Sequence, residues 1–211
     1  MAQAIERGRL KQPPAQEVMD YIVKPALTDE EVHRSYQSYI DVNKAHVLML
    51  AKQGIIGRDA ASKILEVAKK MAAMGDKPDF EISPALEEMY FNLENYLIGQ
   101  VGMEIGGQQH TARSRNDLHA TVDRMVTRNA MLELGALINQ FRKTLITLAR
   151  KNTDSVMSGY THLQPSEPMT FAHYLSAVSL ALSRDYTRFS RAWDAINLNP
   201  LGGGSMGSTT W

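Results

Sequence analysis

The chain has 211 residues, of which 44% are hydrophobic, enough apolar material for a packed core. Its 23 lysine and arginine residues balance 23 aspartate and glutamate residues, so the net charge of zero excludes a global electrostatic attraction to nucleic acid or to anionic membranes. Because cysteine is lacking, the sequence offers no disulfide, thiolate zinc site or cysteine nucleophile. Neither a signal-like N-terminus nor a long apolar run is found, so we expect a cytoplasmic protein without a membrane span.

The first hundred residues predict helices joined by short connections. Residues 1–27 are expected to form an N-terminal arm, because their first part is polar and ends in two prolines. Thr28 begins the capping-box sequence T-D-E-E, which predicts a helix that Gly54 ends. Residues 58–74 repeat the helical spacing of apolar side chains. These features predict an N-terminal helical domain over residues 28–112.

A third helix of this domain is predicted from its start signals. Ser83 is a preferred N-cap residue, and Pro84 suits the first helical position, where a backbone N–H would have no partner anyway. Apolar residues then recur through Leu97 towards Gly99. The sequence therefore predicts one continuous helix over this stretch.

Two long helices follow. Steps of three and four between apolar residues continue over residues 117–152, which predicts a helix of roughly 54 Å. A compact globule of this chain length would be only about 43 Å across. Pro168 is predicted to start a second long helix, antiparallel to the first, and no alternating run or hairpin dipeptide predicts a β-strand. Because the outer apolar faces need cover, residues 113–211 are expected to be part of a helical bundle that other chains or further sequence complete.

The segment from Gly202 to Gly207 has the letters of a dinucleotide-binding turn, G-x-G-x-x-G. It follows a predicted helix instead of a strand, and no helix comes after it, so we reject dinucleotide binding and expect a mobile loop near a functional cleft. The chain ends soon after this segment, at Trp211, which we interpret as a hint of truncation.

Polar residues concentrate before the first long helix, in the sequence Q-Q-H-T-A-R-S-R-N at residues 108–116. A helix N-terminus offers unpaired N–H groups and the positive end of the helix dipole, both of which favour anions. Arg113, Ser114, Arg115 and Asn116 would add side-chain donors at this end. The pattern predicts a carboxylate-binding site, with solvated surface charges as the alternative.

A second polar segment, S-G-Y-T-H-L-Q, lies at residues 158–164, between the two long helices. His162 is in a predicted loop beside Thr161 and Gln164, a position in which functional imidazoles are commonly held. The spacing of the histidines gives metal catalysis no support, and no cofactor is predicted. Folding or association of chains would have to bring the two polar segments together.

At these two segments the sequence resembles the argininosuccinate lyase branch of the fumarase/aspartase superfamily. Residues 110–117, H-T-A-R-S-R-N-D, resemble its signature H-T-G-R-S-R-N-D, with Ala112 in place of glycine. Residues 158–164 resemble P-G-Y-T-H-L-Q, with Ser158 in place of proline, and residues 199–202 resemble a following S-P-L-G segment. The similarity extends over residues 28 to 211.

This resemblance implies an all-α fold: a small helical N-terminal domain followed by the first long helices of a fumarase/aspartase-type central bundle. It also implies a homotetramer that pools its central helices, with each active site built from three segments on three subunits. The third segment, G-S-S-x-M-P-Q-K-x-N-P, carries the serine base and does not occur in this sequence. The chain is therefore expected to be truncated and inactive alone.

The reaction implied is β-elimination of an N-substituted aspartate, argininosuccinate in the first instance, with release of fumarate. His162 would transfer a proton to the leaving nitrogen or orient it. The substrate-binding residues implied are Asn43, Ser114, Arg115, Asn116, Thr161 and Gln164.

Two positions depart from the pattern of the branch. Tyr90 stands four residues before Glu94, where the branch has a histidine, and Asn43 stands where it tends to have a small serine. Both changes concern the amine half of the substrate. Two alternatives therefore stay open: a related C–N lyase with another amine leaving group, resembling ethylenediaminedisuccinate (EDDS) lyase, and a catalytically silent structural homologue such as the lens δ-crystallins.

Overall fold

The computed structural model describes residues 14–207, which form helices and one β-hairpin. The chain begins with α1 (Gln16–Val18), a π-helical turn (Met19–Val23) and a 3-10 turn (Lys24–Leu27). It continues with α2 (Asp29–Lys52), α3 (Arg58–Ala73), a 3-10 turn (Pro84–Leu86), α4 (Met89–Val101), α5 (Met103–Gly106) and a 3-10 turn (Gly107–His110). The last elements are α6 (Arg115–Arg150), β1 (Val156–Thr161), β2 (Gln164–Thr170) and α7 (Phe171–Ile196). No helix in this described range is long and apolar enough to cross a membrane.

The described residues divide into two compact units. The first contains residues 14–126 and 199–207, and the second contains residues 127–198. The domain boundary predicted after residue 112 stays a prediction. Of the predicted arm, residues 1–13 lie outside the described residues, while the part from Gln16 to Leu27 is helical.

The core of the first unit is built from α2, α3 and α4. Leu50, Ile64 and Leu93 are almost completely buried there, and burial of each such side chain is worth about 1.5–3 kcal/mol. Tyr36 is also fully buried, and its hydroxyl donates to the carbonyl of Met71 over 2.9 Å. Burial raises the pKa of Tyr36 to about 12, so this hydroxyl stays protonated. The all-helical character predicted for this part of the chain is confirmed.

The start of α2 agrees with its predicted cap. The hydroxyl oxygen of Thr28 accepts a hydrogen bond from the backbone N–H of Glu31 over 3.4 Å. This contact satisfies one of the N–H groups that have no partner within the helix.

The continuous helix predicted from Pro84 is wrong. Ser83 does cap a 3-10 turn, but Glu87 then adopts a left-handed φ of 67°, which a helix cannot contain, and α4 begins only at Met89. Asn92 stabilises the break, because its side-chain oxygen accepts the N–H of Ser83 over 2.7 Å. A tertiary contact therefore overrides the local helix signal.

The second unit contains the main length of α6 packed against α7. Helix α6 has 36 residues, as its periodicity predicted. Added to Gly135, a Cβ atom would lie 3.4 Å from the ring of Phe189, and Leu145 and Leu175 share a small core. These contacts pair early residues of one helix with late residues of the other, so the two helices are antiparallel. Several large apolar side chains of this unit remain exposed, among them Leu132, Leu137, Phe141 and Leu180.

A β-hairpin separates the two long helices, where the sequence predicted no strand. Strand β1 pairs antiparallel with β2, and His162 and Leu163 form the two-residue turn with φ of 48° and 62°. Positive φ at both central residues is the geometry of a type I′ turn. Gly159 lies at an irregularity of the ladder, where an added Cβ atom would come within 3.0 Å of the carbonyl of Glu167.

The predicted start of the second long helix at Pro168 is also wrong. Pro168 lies within β2 opposite Ser158, and α7 begins at Phe171. Thr170 is the actual N-cap, since its hydroxyl accepts the N–H of His173 over 3.1 Å. Pairing with β1 keeps the residues after the proline extended.

Candidate functional site

The polar residues before α6 are fixed by a reciprocal cap. The side-chain oxygen of Ser114 accepts the N–H of Asn116 over 3.2 Å, and Asp117 Oδ1 accepts the N–H of Ser114 over 3.0 Å. This is the arrangement of a capping box, with aspartate in the place of glutamate. Residues 110–117, here named the donor segment, therefore lead into the N-terminus of α6 in one defined conformation.

Asp117 also binds the glycine-rich segment near the C-terminus. Its Oδ2 accepts the N–H groups of Gly202 and Gly204 over 2.9 and 3.1 Å, and both glycines have positive φ. Burial would raise the pKa of Asp117, but hydrogen bonds from Gly202, Gly204, Ser114 and Leu118 outweigh it and hold the pKa below its ordinary value. The stretch predicted as a mobile loop is thus tied to the start of α6.

Arg113 points inward and is only 9% exposed. Its Nη2 donates to the side-chain oxygen of Asn43 over 2.6 Å, and its guanidinium lies 5.7 Å from the centre of the Tyr90 ring. Burial lowers the pKa of Arg113, although an arginine remains charged at neutral pH. Asn43, predicted to contact substrate, is itself buried and supports this arginine, so its substrate contact stays a prediction.

A second contact ties the donor segment to α2. The buried His46 donates from Nε2 to the carbonyl of Thr111 over 2.8 Å. The next residue, Ala112, has a φ of 62°, in the left-handed region that favours glycine. The glycine of the related signature is therefore explained by backbone geometry.

We expect Ala112→Gly to stabilise the chain by about 0.5–1 kcal/mol, because glycine adopts the left-handed conformation without steric cost. Urea unfolding of the 211-residue chain measures the change. Ala72→Gly is the matched control, since both alanines are partly buried against the same core and Ala72 lies in α3. That control should lose about 0.5–1 kcal/mol, and a loss in both variants would contradict strain at Ala112.

The outer edge of the site is a charged cluster. Glu88 accepts from Arg115 and, over 2.7 Å, from His119 Nε2, whose Nδ1 lies 2.8 Å from the hydroxyl of Tyr39. Burial opposes ionisation of Glu88, but the bond from His119 and the charge of Arg115 keep its pKa below the ordinary value. Arg115 also lies over the ring of Phe91, 4.7 Å from its centre. Its guanidinium is thus held at the surface beside the helix start.

A buried hydrogen-bond network that the sequence did not predict lies behind the donor segment. The hydroxyl of Tyr90 donates to Glu94 Oε1 over 2.8 Å and lies 2.8 Å from His110 Nδ1. Tyr90 is 1% exposed and Glu94 is 8% exposed. The substitution of Tyr90 for the branch histidine, four residues before Glu94, was the signal that pointed to this pair.

The other predicted residues lie at the exposed end of the hairpin. Thr161 and Gln164 face each other across the last pair of the ladder, and His162 is the first residue of the turn between them. All three are exposed. The donor segment belongs to the first unit and the hairpin to the second, so the two predicted parts of the site lie in separate units.

Within residues 14–207, no group of three or more histidine, aspartate or glutamate residues is placed to hold a metal ion. The donor segment offers hydrogen-bond donors and positive charge, which suit an anion.

Comparisons with known proteins agree with this interpretation. A family profile described as lyase matches residues 15–210. Argininosuccinate lyase 1 of Shouchella clausii is 48% identical over 97% of the chain, and the chain covers 41% of its length. The structure of EDDS lyase in complex with formate superposes with a TM-score of 0.75 and is 29% identical, covering 95% of this chain and 39% of that one. A variant of EDDS lyase with bound fumarate gives a TM-score of 0.74 at 30% identity, again over 95% and 39% of the two chains.

The chain thus spans about two fifths of the length of the relatives it matches. The match covers both polar segments and nearly all of the described residues. The chain therefore belongs to this lyase family, in the argininosuccinate lyase branch of the fumarase/aspartase superfamily.

Proposed function

We propose that the chain is part of a longer lyase, called the full-length protein below, which eliminates the amine from an N-substituted aspartate and releases fumarate. Argininosuccinate is the proposed substrate and arginine the second product. The observation that carries this proposal is the donor segment, in which the side chains of Ser114, Arg115 and Asn116 lie at the start of a 36-residue helix. The 48% identity to an argininosuccinate lyase supports the choice of substrate.

The chemistry demands such donors. A base removes a proton from Cβ, the electrons of that C–H bond form the double bond, and the C–N bond breaks as the nitrogen takes up a proton. The carboxylate next to Cβ carries a second negative charge before the amine leaves, and preorganised donors lower the energy of that state. The N-terminal end of α6 supplies them at the positive end of its dipole.

Ser114 and Asn116 are the proposed contacts of this carboxylate. The Ser114 oxygen accepts from the Asn116 N–H, so the hydroxyl proton of Ser114 remains free to donate to a ligand. Arg115 would have to exchange its ion pair with Glu88 for a ligand carboxylate. The side chain of Asn116 is exposed at the same end of the helix.

The hairpin is proposed to enter the site from another subunit. Its surroundings support association, because Tyr160 is 68% exposed, Leu163 is 93% exposed, and an isolated two-stranded hairpin is marginally stable in water. The exposed apolar side chains of α6 and α7 need cover as well. We propose that this association is a homotetramer, in which His162 acts at the leaving nitrogen, Thr161 holds the fumarate part and Gln164 supports them, and that the protein is cytoplasmic.

The serine base is proposed to come from a segment outside this sequence. The 211-residue sequence has no match to the G-S-S-x-M-P-Q-K-x-N-P signature of the branch. Without a base for the Cβ proton, the 211-residue chain alone should release no fumarate.

A spectrophotometric assay of fumarate release tests the proposal. The full-length protein is supplied in parallel with argininosuccinate, EDDS and other N-succinyl amines, and the 211-residue chain is the control. Release from argininosuccinate by the full-length protein, and none by the chain alone, is the expected result.

The alternatives predict different outcomes of this assay. Release from EDDS or another amine but not from argininosuccinate would identify a lyase with a different leaving group, which the likeness to EDDS lyase favours as the second candidate. Release from none of the compounds would identify a catalytically silent homologue. Turnover by the 211-residue chain would contradict the need for a base from another segment.

A further inference from the structure

The two hydrogen bonds of the Tyr90 hydroxyl determine which ring nitrogen of His110 carries a proton. A carboxylate can only accept hydrogen bonds, so the bond between the Tyr90 hydroxyl and Glu94 Oε1 uses the single hydroxyl proton. The second contact of the hydroxyl, with His110 Nδ1, must then be accepted by the tyrosine oxygen. Nδ1 of His110 therefore carries a proton.

With Nδ1 protonated, a neutral His110 has its lone pair on Nε2. Burial, together with the charge of Arg113, lowers the pKa of His110 and favours the neutral ring. Burial also raises the pKa of Tyr90 well above its ordinary value, so its hydroxyl keeps its proton. Among the hydrogen bonds of the described residues, none involves Nε2 of His110, whose ring is only partly buried.

An acceptor at this position has a defined chemical use. A dicarboxylate ligand offers no proton to the lone pair of Nε2, whereas the amine of an N-substituted aspartate does. His110 belongs to the same donor segment as Ser114 and Asn116, at its first position. One segment thus contains donors for a carboxylate and an acceptor for an N–H group.

We propose that Tyr90 and Glu94 are positioning residues that hold His110 with its proton on Nδ1, so that Nε2 accepts a hydrogen bond from the amine half of the substrate. This inference rests on the proposed lyase function for its ligand. The tautomer itself does not depend on that function. The buried pair Tyr90 and Glu94 would then contribute, through His110, to the selection of the amine half of the substrate.

Two other histidines of the same unit provide internal references. His46 donates from Nε2 to a carbonyl, and His119 places Nε2 against the carboxylate of Glu88. Both should carry a proton on Nε2, opposite to His110. The distinction can therefore be read within one spectrum.

The first test is nitrogen-15 NMR of the imidazole rings in the 211-residue chain at about pH 8, where histidine is largely neutral. Long-range proton–nitrogen correlations should show Nδ1–H for His110 and Nε2–H for His46. Tyr90→Phe should move His110 towards the Nε2–H form. Tyr36→Phe, which removes a buried hydroxyl bonded to the Met71 carbonyl, should leave His110 unchanged.

The second test is kinetic and uses the full-length protein in the direction of amine addition to fumarate. Tyr90→Phe should raise KM for the amine about tenfold, the usual effect of one lost hydrogen bond, and leave KM for fumarate within about twofold. A purely structural role would change both constants together. Tyr36→Phe should change neither.

Three results would overturn the inference: Nε2–H on His110 in the wild-type spectrum, an unchanged tautomer in Tyr90→Phe, or equal changes in the two KM values. The wild-type spectrum shows which ring nitrogen of His110 carries the proton, so it tests the tautomer even if Tyr90→Phe fails to fold. Absence of turnover in the wild-type full-length protein would instead overturn the proposed function, and the amine contact with it, while the spectrum still decides the tautomer.

Discussion

Replacing His162 by asparagine in the full-length protein is expected to reduce the rate of fumarate release by about 10²–10⁴-fold, the usual contribution of a positioned proton-transfer group. Asparagine cannot transfer a proton, but it tolerates positive φ better than other non-glycine residues, so the turn at φ 48° should persist. Steady-state kinetics measure the loss. Light scattering should show an unchanged assembly.

Leu163→Asn is the matched control, because Leu163 is the other residue of the turn, with φ 62° and 93% exposure. It should retain most of the activity. A wild-type rate in His162→Asn would refute the role of the imidazole. Equal losses in the two variants would show that the shape of the turn matters and the imidazole does not.

Asp117→Asn is expected to destabilise the chain by about 2–3 kcal/mol at neutral pH. The two carboxylate oxygens accept from the N–H groups of Ser114, Gly202 and Gly204, and an amide would turn its NH₂ group towards at least one of these donors. Urea unfolding measures the change. Asp59→Asn is the control, since Asp59 also lies in the first turn of a helix but is 82% exposed, and it should cost less than about 0.5 kcal/mol.

The destabilisation should depend on pH in one direction. Because the pKa of Asp117 in the folded chain lies below its ordinary value, its contribution is fully present above the unfolded pKa, near 3.8, and is lost as pH falls through the folded value. The difference between wild type and Asp117→Asn should therefore shrink as the solution is made more acidic than about pH 4. A difference that is independent of pH, or one equal to that of Asp59→Asn, would contradict the role of the carboxylate.

Helix α6 could be predicted because all of its signals are local. The apolar spacing is unbroken, proline is absent, and the residues that cap it lie within the four positions from Ser114 to Asp117. The same holds for the start of α2 at Thr28. Where periodicity and capping residues agree, the local sequence specifies the helix and tertiary contacts change it little.

The hairpin could not be predicted, since its turn lacks the usual chemistry. His162 and Leu163 adopt positive φ, which asparagine and glycine adopt at lower cost, and both Pro165 and Pro168 lie in β2. Strand pairing therefore imposes the conformation on residues that do not favour it. Strain of this kind occurs at functional sites and agrees with the role proposed for His162.

The polar residues before α6 were found from the sequence, but their supports were not. Arg113 meets Asn43 across 70 positions of sequence, and Thr111 meets His46 across 65. Contacts between residues so far apart produce no recognisable pattern in a single sequence. The resemblance implies a substrate contact for Asn43, but it gives no sign of the bond that the structure shows between the Asn43 side-chain oxygen and Arg113.

A crystal structure of the full-length protein with bound fumarate is the most direct test of the central claim, a ligand shared between the donor segment and the hairpin. Such a shared site predicts a fumarate carboxylate within about 3 Å of Ser114 and Asn116 of one protomer, with Thr161 and His162 of a neighbouring protomer at the same ligand. Fumarate bound elsewhere, or the two segments facing apart in the assembly, would contradict it.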